Sequence, residues 1–108
     1  MIKPSKVKFI CEELEKEFES LPENDPIKKG IRRAIEDLHQ NAFSGTQIPK
    51  RLFPQDYIKK YNISNLWKYD LPNAWRLIYT ITAENEVDLI SAILNWFDHK
   101  DYEREFKY

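Results

Sequence analysis

Residues 65–108 are dominated by three apolar runs rich in β-forming residues, and these runs limit what the chain can fold into. Residues 66–71 and 75–82 alternate in side-chain character and are separated by Pro72-Asn73-Ala74, a hairpin turn signal. Glu84-Asn85-Glu86 marks a second turn. Residues 87–97 then form a long apolar run suited to a buried central strand. A small antiparallel meander brings the three runs together, and its last strand leads into a compact group of ionisable side chains.

The N-terminal half reads as helical. Val7, Ile10, Cys11, Leu14, Phe18 and Leu21 fall on one face of a helix over residues 7–21, with Ser5 as its cap and any strand before it missing or very short. Pro22 and Pro26 break this pattern, because proline lacks a donor and restricts the residue before it. Asp25 caps a second helix with Pro26 at its first position. Ile27, Ile31, Ala34, Ile35 and Leu38 line one face of that helix, which stops near residues 41–45 at Gly45. Residues 46–64 contain Pro49 and Pro54, so an extended connection is expected, with an edge strand near residues 48–53. Asp98 caps a short final helix from His99 to about Phe106. The fold class is therefore α+β: an N-terminal helical hairpin packed on one face of a small antiparallel sheet, with a short C-terminal helix. At 108 residues the chain reads as one domain, 1–108.

Composition excludes several classes. No apolar run is long enough for a transmembrane helix, and the N-terminal segment lacks a signal-peptide core, so a cytoplasmic protein away from membranes is expected. The single Cys11 excludes an internal disulfide, and its place on the apolar stripe predicts a buried thiol. His39 and His99 are the only histidines and no metal-ligand spacing exists, so no metal or cofactor is expected. With only Gly30 and Gly45, there is no glycine-rich phosphate loop. The net charge of −1 gives no general attraction to nucleic acid. Locally, however, Lys50, Arg51, Lys59, Lys60 and Lys68 oppose only Asp56 and form a basic strip.

Alternation places Trp75, Leu77, Tyr79 and Ile81 on one sheet face and Arg76, Ile78 and Thr80 on the other. Lys68 and Asp70 share a face with Leu66, opposite Trp67, Tyr69 and Leu71. Lys68 and Arg76 then become neighbours on the uncovered face, with Asp70 as an available partner for Arg76. In the final helix, spacing puts His99, Tyr102 and Glu103 on one side. Histidine is the natural proton carrier near neutral pH. Aromatics interleaved with these cations are compatible both with stacking on single-stranded bases and with a core; alternation favours core for Trp67, Tyr69 and Trp75.

The succession NLWKYDLPNAWRLIYTI followed by ILNWFDHKDYEREFKY resembles the RelE/ParE superfamily of type II toxins. The residues that carry the resemblance are Trp75-Arg76-Leu77-Ile78-Tyr79 and His99-Lys100-Asp101-Tyr102. It implies a helical hairpin on a small antiparallel sheet, a cognate antitoxin as partner in a toxin–antitoxin hetero-oligomer, and one of two activities. RelE-type members cleave ribosome-bound mRNA without a metal, the RNA 2′-OH attacking the adjacent phosphate. ParE-type members act on gyrase. Carried over, Arg76, His99, Lys100 and Tyr102 are the catalytic candidates. Lys68, Lys50, Arg51, Arg104 and Tyr108 are the RNA-binding ones. The alternative is a non-catalytic protein of this fold, inhibiting gyrase or binding only its antitoxin.

Overall fold

The computed structural model describes residues 2–106, so Tyr108 lies outside the described residues. The chain is α+β. Among the described residues five strands form one sheet: β1 (Ser5–Phe9), β2 (Thr46–Gln47), β3 (Trp67–Asp70), β4 (Arg76–Ala83) and β5 (Leu89–Phe97). Their order is β1-β5-β4-β3-β2. Pairing is antiparallel from β2 to β5, but β1 runs parallel to β5. The sheet is therefore mixed, not the purely antiparallel meander expected.

β1 replaces the start of the expected first helix. The segment Ser-Lys-Val-Lys-Phe has a period of two: Val7 and Phe9 pack toward the main core, while Lys6 and Lys8 are exposed. Ser5 is buried on the same side; its hydroxyl donates to the Leu38 carbonyl at 2.7 Å and lies 2.8 Å from the Ser91 hydroxyl. The helix proper, α1, covers only Glu12–Ser20. Cys11 sits at its N-cap position and is exposed, not buried as expected, because the chain turns from strand to helix there.

α2 (Pro26–Gln40) begins as the sequence indicated: Pro26 is at its first turn and Asp25 accepts from Ile27 N at 2.8 Å. Its face of Ile27, Ile31, Ala34 and Leu38 is buried against Leu77, Tyr79 and Ile93 of the sheet. Gly30 lets α2 approach the β3–β4 turn, since a Cβ there would meet Pro72 Cδ at 2.6 Å. The α1–α2 turn is closed by Lys28. Its buried ammonium donates to the carbonyls of Glu19 (3.0 Å) and Leu21 (2.9 Å) and to Glu23 Oε1 (2.9 Å). Lys28→Met is expected to lower stability by about 1–3 kcal/mol, because the α1 carbonyls lose their donor in a dry site. Urea denaturation checks this, and an unchanged midpoint would show that water replaces the ammonium.

Residues 46–64 depart most from expectation. The strand there is only Thr46–Gln47, ahead of residues 48–53, and it is followed by a 3-10 turn at Lys50–Leu52 and a helix, α3 (Gln55–Tyr61). Pro54 precedes α3, and Asn62 closes it in the left-handed conformation at φ 50°. The second sheet face is consequently not bare. Ile48, Tyr57, Leu66, Ile78, Leu94, Tyr102 and Phe106 form a second core, built from this segment, the sheet and α4 (His99–Phe106).

A β-bulge divides the two faces. Ile78 pairs with Asn95 but Tyr79 pairs with Ile93, so β5 carries an extra residue between them. Leu94 and Phe97 consequently pack into the second core, while Ile93 and Trp96 pack into the first. On the first face, Trp67 stacks on Tyr79 with centroids 6.2 Å apart, and the Tyr69 hydroxyl donates to Asp37. Burial, reinforced by that bond, pushes the Tyr69 phenol up to about 12. Trp67, Tyr69 and Trp75 all pack against this core, as alternation indicated.

Candidate functional site

Three local features deliver the site. Asn73 and Ala74 both adopt positive φ (59° and 63°), as primed hairpin turns require, and this closes β3 onto β4. The resulting register sets Asp70 directly opposite Arg76. Arg76 also pairs with Phe97 at the end of β5. One residue later, Asp98 accepts from Asp101 N at 2.8 Å and starts α4, so the first turn of α4 emerges beside Arg76.

Lys68, Arg76, His99, Tyr102 and Glu103 line one cavity of about 330 Å³. Arg76 is held on three sides. Its guanidinium carbon lies 5.7 Å from the Tyr102 ring centroid, Nη1 donates to the Trp75 carbonyl at 3.2 Å, and Nε lies 3.1 Å from Asp70 Oδ1. That last approach is an ion pair without hydrogen-bond alignment. Lys68 Nζ reaches the same carboxylate oxygen at 3.2 Å. His99 Nε2 lies 2.9 Å from Glu103 Oε1, one helical turn on. Tyr102 is 4% exposed and stacks on Phe106 at 4.8 Å, so its ring forms the floor under Arg76 instead of an open stacking surface.

Four sequence candidates, Lys68, Arg76, His99 and Tyr102, are therefore brought together, and the face they share is partly covered by α4, not open as expected. Lys100 is exposed and does not line this cavity. Arg104 is ion-paired with Asp101 and lines a different cavity, of about 390 Å³, together with Arg51. Lys50 is exposed on the 3-10 turn before it. The site also contains two carboxylates: Asp70, which pairs with Arg76 as the sequence offered, and Glu103, which had no role there. Spacing had put Glu103 beside His99 and Tyr102, and alternation had put Asp70 beside Lys68. Two fixed cations thus face two carboxylates, and the patch is balanced where a nuclease reading calls for net positive charge.

Chemically, the arrangement offers two cations that can share one oxyanion and an imidazole held by a carboxylate. Among the described residues, no three His, Cys, Asp or Glu side chains gather as a metal-binding group, and no helix is long and apolar enough to cross a membrane. Compared with protein-family models, curated proteins and solved structures, the chain matches none of them.

Proposed function

We propose that this chain is a RelE-like toxin of a type II toxin–antitoxin system, acting as a ribosome-dependent endoribonuclease. The observation that carries the reading is the convergence of Lys68, Arg76, His99 and Tyr102 on one cavity. In the reaction, the 2′-oxygen bonds to the adjacent phosphorus as the bond to the 5′-oxygen breaks. A proton leaves the 2′-hydroxyl, and the departing 5′-oxygen takes one up. Arg76 and Lys68 stabilise the charge that develops on the phosphate oxygens. His99, oriented by Glu103, carries the proton. Tyr102 holds the Arg76 guanidinium in place through its ring. A cognate antitoxin is the protein partner.

Inducible expression is expected to arrest growth and to cut mRNA on ribosomes. Arg76→Ala should relieve arrest and lower cleavage by about 10²–10³-fold, the usual loss when one preorganised charge-stabilising group is removed. Circular dichroism should show Arg76→Ala folded, since the first core does not depend on it. If wild type neither arrests growth nor cuts ribosome-bound mRNA, the enzyme reading is wrong.

The balance of charge in the site favours a second reading, a non-catalytic protein of the same fold. Capture of gyrase, or of the antitoxin alone, with mRNA left intact would support it.

A further inference from the structure

A single carboxylate oxygen spans both cations of the cavity. Asp70 Oδ1 lies 3.2 Å from Lys68 Nζ and 3.1 Å from Arg76 Nε. The three side chains are not held alike: Lys68 and Arg76 are 21% and 20% exposed, Asp70 is 67% exposed. Arg76 is fixed further by the Trp75 carbonyl and the Tyr102 ring. The cations thus belong to the wall of the cavity, and the carboxylate joins them from the solvent side.

That asymmetry decides which partner leaves. Moving Arg76 strips it of its contacts with the Trp75 carbonyl and the Tyr102 ring, and Lys68 is itself largely buried, whereas an exposed carboxylate returns to water at little cost. An incoming oxyanion therefore meets two cations already close enough to share one oxygen, and it has only Asp70 to displace. We infer that Asp70 is an internal competitor: its carboxylate stands where a phosphate oxygen binds, and the Lys68–Arg76 pair becomes an oxyanion site when Asp70 swings out. The ligand class is a phosphate-bearing anion; that it is an RNA phosphate rests on the nuclease reading above. Lys68 acts as a point charge, while the planar Arg76 fork sets the direction of approach.

The test is a ¹⁵N NMR titration with inorganic pyrophosphate at fixed ionic strength. Asp70→Asn keeps the shape of the side chain and removes its charge. It is expected to bind about three- to tenfold tighter than wild type, the scale of releasing an exposed ion-pair network. Shifts should concentrate at Lys68 and Arg76. Asp70→Ala, which adds no amide, should move affinity in the same direction, and Asp70→Asn combined with Arg76→Ala should lose the gain. Equal affinity of wild type and both Asp70 variants overturns the inference. So does absence of binding in all of them, or tighter binding that survives Arg76→Ala. Cleavage of ribosome-bound mRNA by wild type is read separately. Tighter pyrophosphate binding with intact mRNA removes the nuclease and leaves the competitor standing. Cleavage with equal affinities removes the competitor alone.

Discussion

Replacing Phe106 with alanine is expected to cost about 3–5 kcal/mol, the range for deleting a fully enclosed aromatic ring. Phe106 has no exposed surface. Its ring stacks on Tyr102 at 4.8 Å and meets Tyr57 and Phe97 edge-on at 6.2 and 6.3 Å. α4 has only two buried residues, Tyr102 and Phe106, so losing one ring removes half of what docks it. Against a usual total of about 5–15 kcal/mol, this is a large fraction of the stability of a small domain. The loss should begin locally. α4 is short and its outer face is charged, so its amides should exchange faster before the sheet unfolds. Urea denaturation and hydrogen exchange measure the two effects. Because α4 carries His99, Tyr102 and Glu103, Phe106→Ala should also abolish the growth arrest proposed above without touching any substrate. A midpoint within about 1 kcal/mol of wild type would show that another contact holds the helix.

Gly45→Ala is the second large effect. Gly45 has φ −86°, open to any residue, so the constraint is space and not conformation. A Cβ there would lie 2.4 Å from the Lys68 carbonyl oxygen and 2.7 Å from Tyr79 Oη. The first is backbone of β3 and cannot rotate away. The second is a hydroxyl with two duties: it accepts from Gly45 N at 3.0 Å and donates to the Ala42 carbonyl at 2.9 Å. Tyr79 is fully buried, and burial pushes its phenol up to about 12, so it stays a donor across the working pH range. Overpacking and a broken buried bond together are expected to cost about 2–5 kcal/mol. Tyr79→Phe removes one of the clashing atoms, so the double variant should be less destabilised than the sum of the two single ones. Strict additivity in thermal unfolding would refute this account. β3 must shift to relieve the remaining clash, and Lys68 moves with it, so the pyrophosphate binding inferred above should weaken as well.

The parts of this protein that were legible in advance are those set by neighbours in sequence. Asp25 and Pro26 start α2 because a side-chain acceptor and a fixed φ act within one turn. Asp98 starts α4 with a side-chain acceptor of the same kind, without the proline. Strand alternation put Lys68, Asp70 and Arg76 on one face, and helical spacing put Glu103 beside His99. Of the basic strip only Lys68 reached the cavity. Lys50 and Arg51 lie on a 3-10 turn that no periodicity marks, and Lys100, from the final helix, does not line the cavity.

The sequence by itself determined that two helices precede the β3–β4–β5 hairpins, that Trp67, Tyr69, Trp75 and Tyr79 fill one face of the sheet, and that Lys68 and Arg76 lie on the other. These follow from periods of two and 3.6 residues and from caps, which act over a few residues. Only the tertiary structure decided that Ser5–Phe9 is a strand, because its partner β5 lies at the far end of the chain and five residues of alternation cannot outweigh an overlapping helical pattern. It also decided that Leu94 and Phe97 share a face, since an extra residue in β5 resets alternation without a sequence mark. Above all, it decided that Asp70 holds both Lys68 and Arg76. Alternation can place three charges on one surface, but which of them meet depends on register, on burial and on the helix that α4 lays over them.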